Sequence, residues 1–277
     1  MKIVLATDGS KHARWAMQWI PRIPLVDSPK VVALHVVDLV SLRAPFMVQP
    51  AVAGIEPVLR AEASRLEERA KKVMAETQDF LDASRLAGSV RLERDRPAVA
   101  ILNHARHGDL VMLGSRGLNS MGRFMLGSVS TQVALHAPCS VLVVKQNARP
   151  VRRLIFATDG SKSSKKAVRF LSEEFRPQGI EVELVHVIPS LKHSKLKDAS
   201  RALVHRDAER LEKVGYTVSE VVKAGHPSEK IIKVAERRKA DLIIAGAKGL
   251  GAIARFFLGS VSTKLVQHSP CSVLIIR

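Results

Sequence analysis

Two stretches of this sequence place glycines where a phosphate could be held. In the first, Gly114 is followed by two residues and Gly117, then by nine residues and the pair Gly127-Ser128. The second repeats that spacing with Gly246, Gly249 and Gly259-Ser260. Glycine lets backbone amides approach an anion with no Cβ in the way. Each Gly-Ser pair opens a predicted helix, Ser128–His136 or Ser260–His268, whose free N–H groups and positive dipole end favour a phosphate. For one loop, a helix cap with plain turns explains the glycines about as well. Two copies at one spacing weigh toward anion binding. Neither loop is a Walker A motif or a compact Gly-x-Gly-x-x-Gly, and no lysine follows the Gly-Ser pair.

Other residues cluster around these loops by position. Asp8 and Asp159 end the first apolar run of each half, on the side of the sheet where the glycine loop also lies. A carboxylate there can accept hydrogen bonds from a ribose or a base amine, or help hold a cation beside phosphates. It can equally cap the next helix together with Ser10 or Ser161. Arg116 and Lys248 stand between the paired glycines, where a cation has an evident use against phosphate. Arg123 and Arg255 also correspond, with their role left open. His35 and His186, inside apolar strands, read as satisfied core residues. His136-x-x-Cys139 and His268-x-x-Cys271 could together form a zinc set, but small buried cysteines leading into core strands explain them better.

What must position these residues is a duplicated unit. IVLATDGSK at residues 3–11 returns as IFATDGSK at 155–162, and the segment from Gly114 returns from Gly246. The offset is 151 residues at the first match and 132 at the second. The extra length of the first half therefore lies mostly in an apolar, proline-punctuated stretch at 38–57. Apolar runs without polar alternation imply strands buried on both faces, as in a parallel sheet. They alternate with helices predicted near 58–87, 98–107, 199–214 and 227–239. That order predicts two doubly wound α/β domains of about five strands each, 1–146 and 151–277.

The chain has 277 residues and 46% hydrophobic residues, enough for real cores. Two cysteines make no disulfide framework. No signal peptide or membrane span is read at the N-terminus, so a cytoplasmic protein is expected. The net charge is +18, with 44 Lys and Arg against 26 Asp and Glu. The first 150 residues carry 20 basic and 13 acidic residues, and the remainder 24 and 13. Both halves are basic, which suits anionic ligands generally. Aromatic residues form only 4% of the chain, which argues against base-stacking platforms for single strands.

At these residues the chain resembles a tandem universal stress protein. The resemblance spans nearly the whole chain twice. It rests on Ala-Thr-Asp-Gly-Ser at 6–10 and 157–161, the Leu/Val-His-Val strands, the Gly-x2-Gly-x9-Gly-Ser loops, and Pro-Cys-Ser-Val-Leu from Pro138 and Pro270. That loop marks the ATP-binding branch of the family. The resemblance implies Rossmann-like, adenine nucleotide alpha hydrolase-like domains that hold ATP, with or without Mg²⁺. It places adenine and ribose at Ala6, Thr7, Asp8 and Val36. It places phosphates at Gly114, Arg116, Gly117, Gly127, Ser128, Val129 and Ser130, beside Leu113. The second set is Ala157, Thr158, Asp159, Val187, Ala245, Gly246, Lys248, Gly249, Gly259, Ser260, Val261 and Ser262. The family's glycine before the helix that precedes the fourth strand is Gly225 in half two but Asp95 in half one. The family also pairs last strands, which here would set Val141–Val144 beside Val273–Ile276 as an intramolecular pseudo-dimer.

The expected function is an adenine-nucleotide-binding stress or signalling module with little or no hydrolysis, interacting with protein partners and not with membranes. The alternatives are a nucleic-acid-binding protein using its basic surface and a slow Mg²⁺-dependent ATPase. The sequence shows no nucleophile elbow, no Ser-His-Asp arrangement kept by the repeat and no His-Glu-x-x-His.

Overall fold

The computed structural model describes residues 1–41, 56–118, 126–190, 194–249 and 258–277. Arg123, Arg255 and most of the 38–57 stretch lie outside the described residues. The first half runs β1 (Lys2–Thr7), α1 (Lys11–Trp19), β2 (Lys30–Val36), α2 (Glu56–Ala83), β3 (Gly88–Glu93), α3 (Pro97–His104), β4 (Leu110–Gly114), α4 (Ser128–His136) and β5 (Ser140–Val144). The second half repeats it as β6 (Arg153–Ala157), α5 (Lys162–Glu174), β7 (Glu181–Ile188), α6 (Ser194–Lys213), β8 (Thr217–Ala224), α7 (Pro227–Arg238), β9 (Leu242–Gly246), α8 (Ser260–His268) and β10 (Ser272–Ile276).

Within each half the strands pair in parallel, in the order β3-β2-β1-β4-β5 and its counterpart. The two five-stranded sheets then join into one sheet of ten strands. The seam is antiparallel, with Val143 opposite Val273, Leu142 opposite Leu274 and Val141 opposite Ile275. The expected pairing of last strands is therefore observed. β4, β5 and β10 are buried along nearly their whole length, as continuous apolar runs covered on both faces require. One apolar layer, with Trp19, Phe156 and Phe175, covers one face of the sheet. Another, with Val143, Val273 and Ile275, covers the other. Each layer contains residues of both halves, so the cores are continuous across the seam.

Some helix ends differ from the sequence expectation, for local reasons. α2 stops at Ala83 rather than near 87, because the chain turns through Arg85 with φ +53. α3 stops at His104, with Ala105 already extended before the Gly108 turn. At the turn before α7, Gly225 adopts φ +122. Its counterpart Asp95 is not left-handed, and its carboxylate instead accepts from the Arg96 N–H at 2.6 Å. The missing glycine of half one is thus replaced by a different turn.

Candidate functional site

In a parallel sheet the carboxyl ends of β1 and β4 open toward the same side, and the described residues of the two loops interlock there. The Asp8 carboxylate accepts from the Ser10 N–H at 2.9 Å and from the Leu118 N–H at 3.1 Å. Ser10 caps α1 by accepting from the Ala13 N–H, while its hydroxyl donates to the Arg116 carbonyl at 3.3 Å. Of the roles considered for this spot, the cap of α1 falls to Ser10, while Asp8 orders the glycine loop. At the start of α4, Ser130 donates to the Gly114 carbonyl at 2.7 Å and the Gly127 N–H to the Ser115 carbonyl at 2.8 Å. Two strand ends and one helix start are thereby tied into a single knot.

Half two ties the same knot. Asp159 accepts from the Ser161 N–H at 3.0 Å, and Ser161 donates to the Lys248 carbonyl at 3.1 Å. Ser262 donates to Gly246 at 2.7 Å, and the Gly259 N–H to Ala247 at 2.8 Å. Thr158 anchors the strand end through its N–H to the Val185 carbonyl at 3.0 Å. Ala157 lies in register with both Val185 and Ala245. Val187 sits inside β7, one residue before its end, whereas Val36 is the last residue of β2. Val261 occupies the first turn of α8.

The glycines fall into two kinds. A Cβ at Gly117 would stand 2.6 Å from the Asp8 carboxylate, and one at Gly249 would stand 2.8 Å from that of Asp159. Those two are required by the knot itself. Gly127 is different. Its φ of −65° and ψ of 152° suit any residue, and a Cβ there would meet nothing closer than 3.4 Å. The protein alone does not need glycine at 127. Its missing side chain faces the Ser115–Gly117 backbone, at the edge of the space in front of the α4 N-terminus.

That space belongs to a cleft of about 1020 Å³ in half one, at the upper end of the range for small-molecule sites. All twelve half-one residues singled out from the sequence line it: Ala6, Thr7, Asp8, Val36, Leu113, Gly114, Arg116, Gly117, Gly127, Ser128, Val129 and Ser130. The cleft also has residues the sequence reading did not choose, chiefly His35, Asp38, Arg69 and Arg96. His35 holds the Thr7 carbonyl through Nδ1 at 2.9 Å, and His186 holds that of Thr158 at 2.8 Å. Burial lowers the His35 pKa, which keeps the ring neutral near Asp8. The two histidines are thus satisfied structural residues. Arg69 on α2 and Arg96 at the head of α3 add positive charge along the β2–β3 side of the cleft. A polar helix face gives no sequence signal of which arginine turns inward. For Arg96, position at the N-cap of a helix after a strand was the available clue.

The cysteines are free and buried, and burial raises the thiol pKa of Cys139 to about 11 and of Cys271 to about 12. Among the described residues, no group of three or more His, Cys, Asp or Glu comes together to hold a metal. Among them, too, no helix is long and apolar enough to cross a membrane.

Comparison with known proteins agrees with this architecture. The profile of the universal stress protein family matches residues 1–145 and again 150–277. A universal stress protein of Mycolicibacterium smegmatis is 25% identical over 294 residues, covering 99% of this chain and 96% of its own length. One from Mycobacterium tuberculosis is 26% identical over 311 residues, covering 99% and 94%. Among solved structures, a universal stress protein from Archaeoglobus fulgidus has a TM-score of 0.71 at 21% identity, covering 100% of this chain and 96% of its own. With the family profile matching both halves, the chain belongs to the universal stress protein family.

Proposed function

We propose that the protein binds an adenine nucleotide, ATP foremost, in the crevice of each half, and that it works as a nucleotide-responsive stress or signalling module with little or no hydrolysis. One observation carries this reading. Gly127, the N-cap of α4, lines a single cleft of about 1020 Å³ together with the other eleven half-one residues named above, so the first N–H groups of α4 and the strand ends border one space. A phosphate chain suits that cleft, with Ser128, Val129 and Ser130 at the helix start and Arg116 on the facing loop. Ala6, Thr7, Asp8 and Val36 then take ribose and adenine, with Leu113 as apolar floor and Gly114 and Gly117 keeping the loop close. In half two the matching roles fall to Ala157, Thr158, Asp159, Val187, Ala245, Gly246, Lys248, Gly249, Gly259, Ser260, Val261 and Ser262.

Binding rather than turnover is favoured because Asp8 is committed to the loop. Each of its oxygens already accepts a backbone N–H. The carboxylate keeps further lone pairs for a ribose hydroxyl or for Mg²⁺ carried in on the phosphates, but it is a poor candidate for a mobile base. We further propose that the protein acts in the cytoplasm, through protein partners that read the nucleotide state.

Mass analysis of the nucleotide released on denaturation, with equilibrium dialysis against ATP, tests the reading. Two ATP per chain and turnover at background are expected. No binding at millimolar ATP refutes it, and turnover abolished by Asp8→Asn converts it into an ATPase.

A further inference from the structure

The two phosphate-facing helices are held at their far ends by each other's half. Carbonyls at a helix C-terminus lack intrahelical partners and sit at the negative end of the dipole. Arg277 follows β10. It donates through Nη2 to the Ala134 carbonyl at 2.6 Å and the Leu135 carbonyl at 3.3 Å, in the last turn of α4. Its Nη1 reaches the Cys139 carbonyl at 3.1 Å. Lys145 holds the matching place after β5, and its Nζ donates to the Ser269 carbonyl, at the end of α8, at 2.9 Å. The backbone repeats the exchange. The Lys145 N–H donates to Ser272 Oγ at 3.2 Å, and the Arg277 N–H to Ser140 Oγ at 3.4 Å.

Each cation also stands one residue beyond a carbonyl that fixes its own half's glycine loop. Val144 accepts from the Ser115 N–H at 2.7 Å, and Ile276 from the Ala247 N–H at 2.8 Å. A closed path follows. It runs from the first glycine loop through the end of β5 and Lys145 to α8, whose N-terminus forms the second phosphate site. From there it returns through the end of β10 and Arg277 to α4 and the first site.

We infer that Lys145 and Arg277 are positioning residues, each setting the phosphate end of the opposite half, so that the two crevices do not fill independently. The inference rests on the nucleotide reading above. Burial, opposed by Cys271 and aided by the Arg116 charge, lowers the Lys145 pKa to about 8. A phosphate at Arg116 offsets that repulsion and favours the charged amine. The charged amine in turn favours an anion at the head of α8. Such coupling is reciprocal by thermodynamic necessity.

The test titrates the full chain with ATP by calorimetry. It compares wild type, Lys145→Met, Arg277→Met and Lys145→Arg, each also with one crevice closed by Gly127→Val or Gly259→Val. Lys145→Met is expected to weaken half two by about two- to fivefold, the scale of a cation at a helix C-terminus, and to spare half one. Arg277→Met does the reverse, and Lys145→Arg restores binding. Without ligand, amide exchange should rise at residues 260–262 in Lys145→Met and at 128–130 in Arg277→Met. Equal weakening of both halves that tracks thermal stability, or no cross-half change in affinity and exchange, overturns the inference. If wild type binds no ATP, the nucleotide reading fails and the exchange pattern alone decides the coupling.

Discussion

Val73 lies over Gly9 in the first half, and Leu203 lies over Gly160 in the second, so α2 and α6 cross the two crevices in one register. Along that register the halves part company. Four residues earlier stands Arg69, which lines the first cleft, against Ala199. Four residues later stands Thr77, whose hydroxyl donates to the Val73 carbonyl of its own helix at 2.6 Å. Its counterpart Asp207 is fully buried and accepts from the Thr158 hydroxyl at 3.0 Å, while its Oδ1 has no hydrogen-bond partner. At the head of the following helix, Arg96 is replaced by His226. Val32 in β2 gives way to buried Glu183 in β7, which is held by Arg237 at 2.8 Å and by Arg238. Yet the knot of Asp8, Ser10 and Ser130 is copied almost atom for atom by Asp159, Ser161 and Ser262. The glycine-loop end is duplicated and the rim is not. On the proposed reading the halves would share one anion chemistry in different surroundings, and their affinities and partners would be free to differ.

Three experiments would break or sharpen that contrast. The largest effect is expected from Gly127→Val and Gly259→Val. Each should abolish binding in its own half, on the order of a hundredfold or more if about 3 kcal/mol of phosphate contact is lost. The smaller Gly127→Ala, whose Cβ would meet nothing closer than 3.4 Å, should hardly move the melting temperature. A large fall in stability would mean that these glycines serve the fold and not a ligand.

Next comes the turn that differs. Gly225→Asp forces a side chain onto φ +122, with its Cβ 2.8 Å from the Lys230 side chain. It should destabilise the chain by about 1–3 kcal/mol in denaturant unfolding. The reciprocal Asp95→Gly should change stability by less than that.

The smallest effect is that of pH. Lys145 titrates near 8 when folded and near 10.5 when unfolded. Between those values the unfolded chain binds more protons, so this group makes stability rise with pH. The buried thiols act in the opposite sense above pH 9, which leaves pH 8–9 as the window for reading Lys145. Over the same interval α8 loses the cation at its end. Nucleotide affinity of half two should then fall a few-fold from pH 7 to 9, with half one steadier because its helix is held by an arginine. Equal pH profiles in the two halves would remove the distinction between Lys145 and Arg277.

Much of this was legible in the residues. Unbroken apolar runs marked the central strands, and the double occurrence of Thr-Asp-Gly-Ser and Gly-Ser-Val-Ser pointed to the loops that border the cleft. The twelve residues chosen in half one meet in one cleft because strand ends in a parallel sheet share a side. Other features depend on geometry that no local pattern carries. Arg69 enters the cleft because Val73 fixes the roll of α2. Lys145 and Arg277 become helix caps only because β5 and β10 run antiparallel, and a cation after a strand is otherwise unremarked. The long-helix ending at Ala83 was missed because Arg85 adopts a left-handed turn without being glycine.

The antiparallel seam has a consequence for how the protein behaves on dilution. A sheet with a free edge must find a second molecule to cover it, and such pairing weakens as concentration falls. Here the covering strand is tethered through the short segment between β5 and β6, so the encounter is unimolecular and its effective concentration does not change with protein abundance. The pairing is therefore equally complete in a scarce and in an abundant protein. A substitution at one crevice is also not copied to the other, as it would be in a dimer of identical chains. Arg69 where half two has Ala199, and Thr77 where it has Asp207, are differences that a dimer of identical chains could not keep.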